Sequence, residues 1–197
     1  MRLVWTLVMF GVSALIGFAE DRRVENLELE FDTIHGGRVT PFKMPSEKGT
    51  ILFFTMHDCP IANTFSPEVR RIAQHYGKKG FELVLVYAEP SLEPKAARAH
   101  FQDFQHGQYP AMIDSNLIVA RAVGAKVTPE AVVLDKKGTI LYRGRLNNLY
   151  ADFGRKRPKP TQNDLRDALS LIIAGEKPPT PWPRSVGCYI PFNLLAD

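Results

Sequence analysis

Cysteine is scarce in this sequence, which has two among 197 residues, Cys59 and Cys188. Two cysteines permit one disulfide connectivity at most. Neither cysteine follows the apolar N-terminal run directly, which argues against a lipoprotein anchor. A structural disulfide, a catalytic one and two separate thiols are all compatible with this spacing.

The sequence also has little excess of charge of either sign, because the formal net charge is only +4. The main basic cluster, residues 155–159 (RKRPK), contains proline and no aromatic residue. This composition favours a solvated loop over a nucleic-acid surface, so we expect no nucleic-acid partner. The sequence also has no internal repeat and no low-complexity tract. An apolar content of 45% is sufficient for one ordinary globular core.

Residues 1–19 have the layout of a cleaved secretory signal. Arg2 precedes a nearly unbroken apolar run, and Gly17 and Ala19 place small residues before a cut at Glu20. The alternative is an uncleaved anchor, because the apolar run is only slightly short for a membrane span. Both alternatives place the rest of the chain in the periplasm or outside the cell, and only the second attaches it to a membrane.

Strand and helix patterns alternate along residues 20–175, which we predict to form one domain. Short apolar runs predict buried strands, whereas spacings of three and four predict helices; Pro67 should kink the first helix. A hairpin and a closing helix with a capping box at Thr161 follow. The predicted strands are residues 50–55, 81–88, 109–113, 130–135 and 140–143, and the predicted helices begin near residues 61, 94, 117 and 161.

This order predicts an α/β fold with a central mixed sheet and helices on both faces. Residues 176–197 should form an extended tail that carries Cys188, because four closely spaced prolines oppose regular structure.

Cys59 falls directly after the first predicted strand and before a helix that Pro60 should begin. At that position the free N–H groups of a helix start can bind an anionic sulfur. The carboxyl end of a strand in an open α/β sheet is also where ligands collect. His57 adds positive charge when it is protonated, whereas Asp58 opposes it. The position favours a reactive thiol over a buried structural cysteine.

Taken together, these features resemble the thioredoxin superfamily and, within it, the redoxin branch of thioredoxin-like and peroxiredoxin-like proteins. The resemblance covers residues 42–175. It rests on a strand, a Cys-Pro pair, a proline-kinked helix and Val127-Thr128-Pro129 before a strand. Residues 58–63 (DCPIAN), 142–148 (YRGRLNN) and 186–190 (VGCYI) are further similar to exported bacterial redoxin-domain proteins, in which a C-terminal Gly-Cys pair is frequent.

The resemblance implies that Pro129 is a cis-proline facing Cys59. Thr128 would then offer its backbone to an extended peptide, with Pro60 and His57 at the same substrate-binding site. The resemblance implies no cofactor and no metal, and its partners would be protein thiols, protein disulfides or a redox partner protein.

Four departures from the family patterns bear on activity. Thioredoxins have a second cysteine where this chain has Ala62, and peroxiredoxins have threonine where this chain has Met56. The peroxiredoxin arginine would align near Pro129, although Arg143 or Arg145 could approach the site. Copper-delivering relatives have a cysteine in place of Asn63.

Cys188 is the candidate for the missing second thiol. The tail after Gly175 spans roughly 40 Å when extended, which suffices to return along the last helix. A disulfide between Cys59 and Cys188, a separate thiol and a docking point for the tail all remain open.

We therefore predict a thiol–disulfide oxidoreductase with Cys59 as the nucleophile and Cys188 as a possible resolving thiol. Two alternatives remain. One is a one-cysteine thiol peroxidase. The other is a non-catalytic module that binds a protein, or binds copper through His57, Cys59 and Cys188.

Overall fold

The structure is a computed structural model that describes residues 22–195, so the predicted signal at residues 1–19 lies outside the described residues. None of the helices in the described part of the chain is long and apolar enough to cross a membrane. The elements in chain order are β1 (Phe31–Asp32), β2 (Arg38–Val39), β3 (Gly49–Thr55), α1 (Pro60–Thr64), α2 (Ser66–Gly77), β4 (Phe81–Tyr87), α3 (Pro94–Asp103), β5 (Ala111–Ile113), α4 (Ile118–Val123), β6 (Val127–Thr128), β7 (Glu130–Leu134), β8 (Ile140–Gly144), β9 (Tyr150–Asp152), β10 (Arg155–Lys156), α5 (Asp164–Ala174), β11 (Cys188–Tyr189) and a 3₁₀ turn (Phe192–Leu195).

Five strands form the central sheet, in the order β5-β4-β3-β7-β8. Strands β3, β4 and β5 are parallel, and β7 and β8 pair antiparallel to complete the sheet. The register places Ile51 opposite Leu83 on one side and opposite Val133 on the other. The predicted mixed sheet is therefore confirmed, and β3, which leads to Cys59, lies at its centre.

Alternate residues of the strands point to two separate apolar cores. Ile51 and Phe53 of β3 pack in the core that includes residues of α1, α2, α3 and α5. Leu52 and Phe54 pack in the other core, with Val119 and Val123 of α4. All seven residues of β3 are buried, which explains why the sequence of this strand is a continuous apolar run without alternating polar residues.

The helix after Cys59 is divided into two rather than kinked. α1 ends at Thr64, and the Phe65 N–H donates to the Ala62 carbonyl at 2.9 Å before α2 begins at Ser66. Pro67 supplies no N–H for the regular helical bond to the carbonyl of Asn63, which instead accepts from a backbone N–H at the C-terminal cap of α1. The break lies at the place that Pro67 predicted.

The prediction of a capping box at Thr161 is wrong. The residue before α5 is Asn163, whose side chain makes no capping hydrogen bond. Thr161 is instead bound to Asn148: its Oγ1 accepts from Nδ2 at 2.8 Å, and its N–H donates to Oδ1 at 2.8 Å. These tertiary hydrogen bonds replace the local capping pattern.

The tail differs from the fully extended prediction at its end. Residues 176–187 contain no helix or strand, but β11 pairs antiparallel with β6 and a 3₁₀ turn follows. Cys188 lies opposite Thr128, and Tyr189 lies opposite Val127. The tail therefore returns to the end of the sheet at which Cys59 lies.

Candidate active site

Cys59 caps the first turn after the central strand. Its side chain is 1% exposed. The N–H of Ala62 donates to Sγ at 3.4 Å, and the thiol donates to the Thr128 carbonyl at 3.3 Å. Pro60 follows as the first helical residue. The sulfur thus has a hydrogen-bond donor in α1 and an acceptor in β6, and these two bonds orient the Cys59 side chain.

Thr128 and Pro129 form the wall opposite this sulfur. Their peptide bond is cis, as the sequence predicted. Thr128 is fully buried, and its Oγ1 has no hydrogen-bond partner. The predicted proximity to Cys59 is confirmed by the hydrogen bond to the Thr128 carbonyl.

The tail covers the same wall from the outside. At Gly187 a Cβ atom would lie 1.9 Å from the Thr128 carbonyl oxygen and 3.0 Å from Pro129 Cδ, so only glycine fits. Two residues past Cys188, the Ile190 N–H donates to the Lys126 carbonyl at 3.0 Å. The close approach at Gly187 explains the Gly-Cys pair near the end of the sequence.

The two cysteines lie together as free thiols. Cys188 is half-buried, packs against the apolar core that includes Cys59, and lies opposite Thr128, whose carbonyl accepts from the Cys59 thiol. Burial, followed by the neighbouring Cys59, raises the pKa of Cys188 to about 12. Cys188 is therefore protonated at neutral pH.

His57 pairs with Glu89 and not with the thiols. Its Nδ1 lies 2.8 Å from Glu89 Oε1, and its backbone N–H donates to Oε2 at 3.1 Å. Ligand atoms of His57, Asp58 and Glu89 lie within 4.8 Å of one another, a set of one nitrogen and two oxygens. In residues 22–195 the ligand set for copper that the sequence suggested, His57 with Cys59 and Cys188, does not come together.

A buried polar chain extends from the site into the core, and the sequence analysis missed it. Asn63 Nδ2 donates to the His57 carbonyl at 3.0 Å, and Asn63 Oδ1 lies 2.8 Å from His100 Nε2. His100 Nδ1 lies 2.9 Å from the Tyr87 hydroxyl. Because Asn63 Oδ1 only accepts, neutral His100 carries its proton on Nε2. The sequence signal was Asn63 itself, a polar residue among apolar ones in the first helix.

Buried histidines make the fold sensitive to acid. Burial is the main cause that lowers the pKa values of His100 and His106 to about 4, from 6.5. Between pH 6.5 and about pH 4 these two histidines bind protons in the unfolded chain but not in the folded chain. The free energy of unfolding therefore decreases as the pH falls through this range. Each histidine accounts for roughly 3 kcal/mol of that loss.

His106→Gln isolates this contribution, because its ring contacts Ser66 and Tyr109 and not Asn63. We expect the loss of unfolding free energy between neutral pH and pH 4, measured by urea titration, to be smaller in this variant by roughly 3 kcal/mol. Replacement of the exposed His75 by glutamine is the matched control and should leave the loss unchanged. Equal losses in all three proteins would contradict the assignment.

The arginines that a peroxidase would need are bound elsewhere. Arg143 donates to the Val123 carbonyl at 3.2 Å, and Arg145 pairs with Asp164 at 2.8 Å. Met56, which replaces the peroxiredoxin threonine, is buried in the apolar core. The groups that would bind a peroxide are thus not gathered at Cys59.

Solved structures of similar fold support the architecture. A hypothetical protein from Sinorhizobium meliloti 1021 has 21% identity and a TM-score of 0.73, over 86% of this chain and 92% of that one. An uncharacterized conserved protein from Geobacillus kaustophilus has 23% identity and a TM-score of 0.70, with the same coverage. A secreted Mycobacterium tuberculosis disulfide oxidoreductase, homologous to E. coli DsbE, has 15% identity and a TM-score of 0.52, over 76% and 96%.

These likenesses show a thioredoxin-like fold, as the sequence predicted. A search of curated proteins gave no match. Residues 31–153, which include Cys59, Thr128 and Pro129, match the Redoxin family. The match spans more than half of the chain, and the chain therefore belongs to the Redoxin family.

Proposed function

We propose that this protein is an extracytoplasmic thiol–disulfide oxidoreductase in which Cys59 is the nucleophile and Cys188 is the resolving thiol. The observation that carries the proposal is the register of the tail, which places Cys188 opposite Thr128, the residue whose carbonyl accepts from the Cys59 thiol. A second thiol held beside the first is what a chain without a Cys-x-x-Cys pair requires in order to release its substrate.

The roles of the two cysteines follow from their surroundings. The raised pKa of Cys188 keeps its proton in place, and we therefore assign the attack to Cys59, which lies at the start of α1. Cys59 also receives the Ala62 N–H, a donor that serves a thiolate as well as a thiol. Thr128 and Pro129 would shape the peptide groove, and Pro60 and His57 would border it.

The reaction is a pair of exchanges. The Cys59 thiolate attacks one sulfur of a substrate disulfide, a mixed disulfide forms, and the other substrate sulfur leaves as a thiolate. Cys188 then transfers its proton to the departing substrate sulfur and bonds to Cys59. The substrate gains two electrons, the protein retains a Cys59–Cys188 disulfide, and an external dithiol reduces it again.

Thiol counting tests the proposal on the native protein. A mild disulfide oxidant should remove both free thiols together, and dithiothreitol should restore both, with the Cys59–Cys188 bond identified by peptide mass mapping. A disulfide that resists dithiothreitol until the protein is denatured would favour the non-catalytic module. Consumption of hydrogen peroxide at the same rate by Cys188→Ser would favour the one-cysteine peroxidase.

Export is the second part of the proposal, supported by the signal pattern and by the secreted Mycobacterium tuberculosis protein of similar fold. We expect N-terminal sequencing of the protein from the periplasm or medium to begin at Glu20, or within a residue or two. An intact Met1 in the membrane fraction would contradict cleavage.

A further inference from the structure

The tail strand β11 occupies the backbone edge that a substrate peptide would use. Cys188 lies opposite Thr128 in an antiparallel register, and the carbonyl of Thr128 accepts from the Cys59 thiol. An extended peptide that presents a cysteine to Cys59 by pairing with β6 would take this same position. Residues 187–190 therefore occupy the groove as a bound peptide would, and each of their positions shows which side chain the groove accepts.

The position before the cysteine accepts no side chain. A Cβ at Gly187 would lie 1.9 Å from the Thr128 carbonyl oxygen and 2.7 Å from its carbon. Both are backbone atoms of β6, and Thr128 is fully buried. Any larger residue at this position must lift the peptide away from Thr128, and its cysteine away from Cys59.

The positions after the cysteine alternate between solvent and core. Tyr189 is 82% exposed, so its side chain contributes little to the fit. Ile190 is 4% exposed and packs in the apolar core on the α4 side of the sheet, while its N–H binds the Lys126 carbonyl. The groove thus selects an aliphatic residue two positions after the cysteine.

The outer side of the tail is not packed. Residues 185–189 border an open cavity of about 570 Å³, with Asp152 and Phe153 on its other wall. Only the short β11 ladder and the Ile190 N–H connect this part of the tail to the backbone of residues 126–128. Besides these backbone contacts, the buried side chain of Ile190 holds the strand, and an incoming peptide with an aliphatic residue at the same position would replace that packing. Few backbone contacts, with free space beside them, suit a strand that another peptide displaces.

We propose that the substrates of this site are polypeptides with the pattern Gly-Cys-x-aliphatic, which pair with β6 in place of the tail. The proposal rests on the proposed function and adds sequence selectivity to it. The incoming peptide displaces β11, and its disulfide is attacked by Cys59, so the peptide cysteine bonds to Cys59 and the second substrate sulfur leaves. The tail then returns, Cys188 bonds to Cys59, and the peptide cysteine leaves with the proton of Cys188.

Activated peptides test this selectivity directly. The probe is Ser-Val-Gly-Cys-Tyr-Ile, the tail's own sequence, with its cysteine joined to thionitrobenzoate, whose release by the reduced full-length Cys188→Ser protein is coloured. Replacement of the glycine by valine, or of the isoleucine by serine, should each lower kcat/KM about tenfold. Replacement of the tyrosine by alanine is the matched control and should leave the rate unchanged.

The tail variants test displacement in the protein itself. Gly187→Ala, combined with Cys188→Ser, should push β11 off Thr128 and raise the rate with the glycine peptide about tenfold. Tyr189→Ala in the same background should not change the rate. Thermal melting of each variant shows whether the fold is retained, and the peptide series on Cys188→Ser alone decides the question if Gly187→Ala does not fold.

The outcomes separate this inference from the proposed function. If peptides of every sequence react equally fast, the selectivity is wrong while the oxidoreductase proposal stands. If no peptide disulfide reacts with reduced Cys59, the oxidoreductase proposal itself is wrong. A slower reaction of the glycine peptide after Gly187→Ala would show that the tail assists peptide binding rather than occupying its place.

Discussion

Cys188→Ser should convert the protein from a turnover catalyst into a trap for its substrates. Without the Cys188 thiol, the mixed disulfide on Cys59 has no resolving partner, so it accumulates in stoichiometric amounts. Cys59→Ser should instead reduce the rate of disulfide reduction to that of the uncatalysed reaction, because no thiolate remains at the site where Ala62 and Thr128 orient the sulfur. The two substitutions therefore have opposite covalent outcomes.

Turnover of a peptide disulfide is measured with dithiothreitol as reductant. The adduct is measured separately, by adding the peptide disulfide to reduced protein freed of dithiothreitol, which would otherwise cleave the mixed disulfide, and then by non-reducing electrophoresis and mass spectrometry. The double variant Cys59→Ser/Cys188→Ser is the matched control and should form no adduct. A non-catalytic module predicts that both single variants lose stability similarly and that neither changes a rate. An adduct on Cys188 in Cys59→Ser at the same rate would contradict the assigned roles.

Much of the fold was predictable because burial leaves strong local patterns. The central strands β3 and β4 are buried almost throughout, so each appears as a continuous apolar run of the length of a strand. Pro67 marked the division between α1 and α2 through its missing N–H. The wrong prediction of a capping box at Thr161 shows the limit of such local patterns, because Asn148, thirteen residues away, binds both the hydroxyl and the backbone N–H of Thr161.

The site was predictable only where it is local in the chain. Cys59 and Pro60 belong to one strand–helix junction, and the sequence placed them correctly. The pairing of Cys188 with Thr128 depends on the path of the tail, which proline content does not determine. The partner of His57 was missed for the same reason, because Glu89 lies at the end of the neighbouring strand. A steric limit such as that at Gly187 exists only after these segments meet.

Oxidation of Cys59 and Cys188 should stabilise the folded protein by about 4–5 kcal/mol, because the bond closes a loop of well over a hundred residues in the unfolded chain. The folded chain already places both cysteines beside Thr128, so we expect little rearrangement to oppose the bond. Guanidinium titrations of the oxidised and reduced protein measure the difference. Cys59→Ser/Cys188→Ser, which cannot form the bond, should show no effect of oxidant.

The same free energy determines whether the Cys59–Cys188 pair reduces or oxidises its substrates. A disulfide that stabilises the fold is, by thermodynamic linkage, stabilised by the fold to the same extent. At about 1.4 kcal/mol per 30 mV, the predicted stabilisation lowers the reduction potential of the folded pair by roughly 100 mV relative to the unfolded chain.

Reduced protein should therefore act as a donor of electrons to substrate disulfides. Equilibration with dithiothreitol buffers, with and without denaturant, measures both potentials on the same two cysteines. A folded pair that is more oxidising than the unfolded one would mean that the native contacts favour the thiols over the disulfide. In that case Cys59 would serve to oxidise its partners, and the predicted stabilisation by oxidation would fail in the same experiment.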